Sequence, residues 1–168
     1  ADESNAFVIS SDFCHWGTRF SYTFYMRAAP SPAISPLRLP NGVTGAGEGS
    51  DADDAHKSET VDHGTSLHVT SKIISSDARI YESIAHADRA CMCAIATGEF
   101  VEFQNTLRVT GNTVCGRHPI GVFMAGVEEV ERTRKEEGKD NDTAGEGRFR
   151  FVRYGRSNDV VSVRDSSV

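Results

Sequence analysis

No run of apolar residues in this chain approaches the roughly 20 that a helix needs to cross a bilayer, so a membrane span is not expected. Positive charge is not in excess either: 18 Lys and Arg stand against 24 Asp and Glu, for a net charge of -6. Nucleic acid is therefore not an expected partner, because phosphate binding rests on concentrated positive charge. Cysteine is sparse, four in 168 residues, which excludes a disulfide scaffold. On one strand Cys91 and Cys93 would stand about 6.6 Å apart, badly oriented for a mutual bond. An initiator methionine is missing from the opening ADESNAF, which fits either a trimmed sequence or a soluble chain processed from an organellar or secreted precursor, and leaves the compartment open.

What is present describes a globular protein with a mildly acidic surface: 38% hydrophobic and 25% charged residues, enough for one domain over residues 1–168 with a real core. Residues 29–64 form a long excursion. That stretch holds four of the five prolines, then a run of Gly, Asp and Ser with few apolar residues, and such composition buries too little surface to order itself. A loop of this length suits an arm or a lid, and deleting Gly45 to Ser58 is expected to cost little.

The remaining segments read mostly as strands. In RFSYTFYMR, Phe20, Tyr22, Phe24 and Met26 alternate with polar residues, the period of a half-buried strand. SLHVTSKII, ARIYESIAH, ACMCAIATGEFVEF and TLRVTGNTV follow with short connections, as in an antiparallel meander. The expected apolar sheet face comprises Leu67, Val69, Ile73, Ile80, Ile84, Val101, Phe103 and Val109, joined by Cys91 and Cys93 as packed, inert thiols. One helix is expected near residues 119–137, with Phe123, Val127 and Val130 as its stripe, Glu128–Arg132 and Glu131–Lys135 as supporting pairs and Gly138 as its stop. The fold class is thus α+β and β-rich: an antiparallel sheet of about six to eight strands with one main helix.

Three groups of residues carry possible chemistry. Cys91, Cys93, Cys115 and His118 have the number and softness for a tetrahedral zinc site, although the pattern C-x-C, 21 residues, C-x-x-H lacks a C-x-x-C knuckle. Asp62, His63 and His68 flank Gly64 where a loop enters a strand; a histidine there can act as a general base and the aspartate can orient it. Cys14 and His15 are adjacent, which points them apart on a strand, and Trp16 beside them reads as core. The arginines Arg148, Arg150, Arg153, Arg156 and Arg164 read as a solvated face, and the terminal Ser-x-Val of RDSSV is a short match to carboxylate-capturing domains.

Residues 65–103 carry a resemblance. Ser66, Leu67 and His68, followed by Ala96, Thr97, Gly98, Glu99 and Phe100, are similar to the strand opening and ending of hotdog-fold acyl thioesterases. The resemblance implies a hotdog-like acyl-thioester (acyl-CoA) hydrolase or acyl-binding protein, sheet-to-sheet assembly into homo- or hetero-oligomers, an acyl thioester or a protein subunit as partner, and no cofactor. The family's helix-borne acid has no counterpart here, and Asp62 is a substitute by location only. Two alternatives stand beside it: a non-catalytic structural or interaction subunit of a larger assembly, and a zinc-binding module.

Overall fold

A computed structural model of the protein describes residues 7–30, 64–138, 149, 151 and 154–167. Its elements, in chain order, are a 3-10 turn at Thr18–Phe20, strands β1 (Phe24–Tyr25) and β2 (Thr65–Ser66), and helices α1 (Ile80–Ala96), α2 (Phe100–Thr110) and α3 (Arg117–Glu136). β1 and β2 pair antiparallel, Phe24 opposite Ser66 and Tyr25 opposite Thr65. No helix among the described residues is long and apolar enough to cross a membrane.

This corrects the β-rich reading, since the described residues form two short strands and three helices in place of a sheet of six to eight strands. The reason is a choice of period. Cys91, Cys93 and Ile95 do alternate, but Ile80, Ile84, Ala87, Cys91 and Ala94 recur at intervals of four and three, and these are the positions that α1 buries. The run is also alanine-rich, and alanine is the strongest helix former. Residues 87–89, between two of the expected strands, lie in mid-helix. Likewise Phe103 and Thr110 face inward from α2, whereas Val101 and Val109, expected on a sheet face, are exposed along with Val69. The ATGEF stretch is the corner between α1 and α2: Thr97 Oγ1 donates to the Ala94 carbonyl and accepts the Glu99 N–H, and Gly98 turns the chain at φ 81°.

The helix expected near residues 119–137 is present as α3, with Gly138 at φ 65° past its end. Its ion pairs include Arg132 with Glu129 and Glu136. Glu128 instead reaches across to accept the Phe100 N–H, a carboxylate at the N-terminus of α2 where the macrodipole favours it. In RFSYTFYMR only Phe24–Tyr25 is strand; Tyr22, Tyr25 and Met26 are buried, while Phe20 and Phe24 are half-buried. Almost all of residues 29–64, including Gly45 to Ser58, lies outside the described residues.

Helix α1 is the spine. Ile80 and Ile84 join a core around Trp16, Tyr25, Leu67 and Val160, and Cys91 and Ile95 join a second core with Phe103, Val114 and Met124. Trp16 is fully buried and its indole Nε1–H donates to the Phe24 carbonyl at 2.9 Å. Its backbone pairs with Ser167, which is also buried, so the segment near the end of the chain is sewn onto the core. Gly17 permits this pairing. At φ 128° a side chain is strained, and a Cβ there would lie 2.9 Å from the Asp165 carbonyl oxygen and 2.8 Å from Ser166 Cβ.

Two glycine substitutions separate backbone fit from helix propensity. Gly17→Ala is expected to lower the unfolding free energy by about 2 kcal/mol or more. Gly126→Ala, in mid-α3 with open space around its Cβ position, is expected to raise it by about 0.5–1 kcal/mol. Urea unfolding of the two variants checks both signs.

Candidate functional site

The densest polar geometry forms where the segment from Ser11 to Gly17 runs against the segment from Asn112 to Gly116. Cys115 N–H donates to the Asp12 carbonyl at 3.0 Å. Gly116 N–H donates to Ser11 Oγ at 2.8 Å, and a Cβ at residue 116 would sit 2.5 Å from Ser11 Cβ, so only glycine allows that approach. Thr113 Oγ1 accepts the His15 N–H at 2.8 Å and donates to the His15 carbonyl at 3.0 Å. The His15 ring lies edge-on to Phe20, its centroid 5.2 Å away, with Nε2 buried and lacking a hydrogen-bond partner among the described residues.

Beneath this pairing stands Asp88, on the inner face of α1 and 3% exposed. One carboxylate oxygen accepts the Cys14 N–H at 3.1 Å and the Asn112 side-chain N–H at 2.9 Å; the other accepts the Tyr154 hydroxyl at 2.7 Å. Burial pushes its pKa up to about 6, offset in part by those donors and by Arg156. The Cys14 and Cys91 thiols and the Tyr22 and Tyr154 hydroxyls are pushed up as well, by burial first and, for Cys14, Cys91 and Tyr154, next by the Asp88 carboxylate. Cys14 is therefore a protonated core thiol rather than a nucleophile.

From this junction α3 leads away beside α2, and the two helices enclose a groove of about 740 Å³. Phe100, Phe103, Leu107 and Val122 supply apolar wall; Asn112, Thr113, Arg108, Arg117 and His118 supply polar groups, and no acid among the described residues lines it. The Arg108 guanidinium donates to the side-chain oxygen of Asn105 and that of Arg117 to the Val114 carbonyl, both neutral acceptors. Gly121 keeps the helices close, since a Cβ there would fall 2.8 Å from the Phe100 ring. A smaller cavity of about 250 Å³ touches Asp88, Tyr154 and Arg156 on the other side of the junction.

The sequence-derived candidates do not converge. Cys91 is buried in the core and Cys93, two residues along the same helix, is directed about 200° around it; Cys115 is exposed on the turn before α3, and His118 is exposed in its first turn. Among the described residues no group of three or more His, Cys, Asp or Glu side chains could hold a metal ion. His68 is exposed in a turn closed by Ser71, away from both cavities. Asp62 and His63 lie outside the described residues. Of the groove's polar residues only His118 was singled out. Asp88 was missed although a signal exists: it falls in register with Ile84, Cys91 and Ile95, and an acid on the apolar stripe of a helix is a candidate buried polar group.

Because the pKa of Asp88 is higher in the folded protein than in the unfolded chain, the folded state holds the extra proton between about pH 4 and 6. Stability from this group is therefore greatest below about pH 4 and declines as pH rises through about 6. Asp88→Asn should remove that pH dependence and, by leaving donors unmatched, lower stability at pH 7 by about 2–4 kcal/mol. Urea unfolding of both proteins from pH 4 to 7 checks the slope and the offset.

The whole chain, residues 1–168, matches the sequence model of the family described as Memo-like protein. It is 33% identical over 169 residues to the MEMO1 family protein C4H3.04c of Schizosaccharomyces pombe, covering 99% of this chain and 40% of that protein. It is 31% identical over 168 residues to Protein MEMO1 of Rattus norvegicus, with 100% and 37% covered, and 31% identical over 171 residues to the MEMO1 family protein MHO1 of Saccharomyces cerevisiae, with 99% and 41% covered. The chain thus spans about two fifths of the length of these relatives. The match overturns the resemblance to hotdog-fold thioesterases and the hydrolase and acyl-binding functions drawn from it; the short patterns that carried it are a strand end, a turn and a helix corner. The zinc-module alternative finds no support in the described geometry, and the subunit alternative is only loosely consistent with the family. Matched from its first residue to its last, the chain belongs to the Memo-like family.

Proposed function

We propose that this chain binds a small anionic ligand with an apolar body in the groove between α2 and α3. The observation that carries the reading is the groove's lining: Arg108, Arg117 and His118 stand beside Phe100 and Leu107 with no acid among the described lining residues, on a chain whose net charge is -6. Cations gathered on an acidic protein raise the local concentration of anions at that place. Both guanidiniums are oriented by neutral acceptors, so their charge is left for a ligand. Charge-assisted hydrogen bonds from a guanidinium to a carboxylate or phosphate are about twice as strong as neutral ones. The aromatic and aliphatic wall then takes the rest of the molecule out of water, in a volume within the usual range for small-molecule sites.

Calorimetric titration with 1-naphthoate and with its neutral counterpart 1-naphthalenemethanol tests this. The anion is expected to bind about tenfold or more tightly than the alcohol, to weaken with added salt, and to lose about tenfold in affinity in Arg117→Gln. Equal binding of both probes, or an anion affinity indifferent to Arg108→Gln and Arg117→Gln together, would contradict the reading.

A further inference from the structure

We propose that the α2–α3 groove and Asp88 form one proton-linked unit: an anion bound in the groove favours the protonated, neutral form of Asp88, so anion affinity rises as pH falls. The inference rests on the anion reading of the groove. Only one side chain separates the two. Asn112 lines the groove, and its side-chain N–H donates to Asp88 Oδ1 at 2.9 Å. Asp88 itself is 3% exposed, so little water screens its charge from one placed on the far side of Asn112.

Like charges in that setting repel. At the effective dielectric of about 20 that suits buried sites, two unit charges about 10 Å apart interact strongly enough to move a pKa by about one unit. Asp88 is the group that yields, because burial already holds its pKa at about 6 and a modest further push neutralises it near pH 7. Its neighbours do not take its place. Cys14 on the facing segment, Cys91 on α1, Tyr22 and Tyr154 all have their pKa values raised, so they stay neutral across this range. Arg156 favours the ionised carboxylate whether or not the groove is filled, and it shares the smaller cavity with Asp88, Tyr154 and Asp12.

The neutral form is also accommodated. The Tyr154 hydroxyl can turn to accept the new proton. The Asn112 carbonyl oxygen, buried and without a hydrogen-bond partner among the described residues, is a second acceptor once the amide turns over. The proton has a route as well: the cavity of about 250 Å³ reaches Asp88 from the other side of the junction, and a polar cavity of that size admits water.

By linkage the coupling works in both directions. An anion that raises the Asp88 midpoint from about 6 to about 7 binds about tenfold more tightly at pH 5 than at pH 8. His118 lines the groove too, and a histidine gains charge over the same range, so tighter binding in acid does not by itself single out Asp88.

The test therefore reads Asp88 directly. Carbon-13 NMR follows its side-chain carboxyl in the full 168-residue chain from pH 4.5 to 8.5, without and with saturating 1-naphthoate. The anion is expected to raise the midpoint by about one pH unit, and the shift is expected to vanish, at the same 1-naphthoate concentration, when Arg108→Gln and Arg117→Gln are combined. Calorimetry on His118→Gln should still show 1-naphthoate binding about tenfold tighter at pH 5 than at pH 8, a dependence that adding Asp88→Asn removes. The carboxyl readout needs no variant, so it decides even where Asp88→Asn fails to fold. A midpoint that stays in place while 1-naphthoate is bound overturns the proposal and leaves the anion site standing. A shift undiminished in the double arginine variant overturns it too. Absence of 1-naphthoate binding at both pH 5 and pH 8 overturns the groove reading and this inference together.

Discussion

Asp88 is the point on which three distant parts of the chain agree. A carboxylate 3% exposed would be severely destabilising alone, and it persists because a backbone N–H at Cys14, an amide at Asn112 and a hydroxyl at Tyr154 all donate to it. Each donor belongs to a different stretch: the polar segment before Trp16, the turn that leads into α3, and the segment that carries the chain back to the core. Removing the carboxylate would leave each of those stretches with an unmatched donor at once. The fold near the site is therefore held by a polar contact that forces register, while the two apolar clusters on α1 supply the bulk of the burial.

That arrangement places the functional surfaces. Asn112, fixed from below by Asp88, lies on the wall of the α2–α3 groove, and the pairing of Ser11 and Asp12 with Gly116 and Cys115 sets where α3 begins. Arg117 and His118 follow in its first turn, which is why these two side chains project beside the groove rather than along the acidic stretch where Glu128 to Glu137 lie.

The sequence made α3 legible because its amphipathic stripe, its charge pairs and its terminal glycine all agree with a helical period. It also made Trp16 legible as core. α1 and α2 were hidden by short-range alternation: Cys91, Cys93 and Ile95 satisfy a period of two as readily as a helical one, and Val101, Phe103 and Val109 are strand formers by propensity. Tertiary packing on α1 overrode that propensity. The site was less legible still, because Asp88, Asn112 and Tyr154 come together through the fold and share no local motif. Cys91 is packed in the core, as its apolar surroundings led us to expect, and His68 sits in a turn; an acid on a helix stripe was the informative signal.

The central claim is that Asp88 is a buried carboxylate held by three donors, and its own titration tests this most directly. Carbon-13 NMR of the Asp88 side-chain carboxyl, followed from pH 3 to 8, should show a midpoint at about 6. A midpoint near 4, ordinary for a solvated aspartate, would contradict the account.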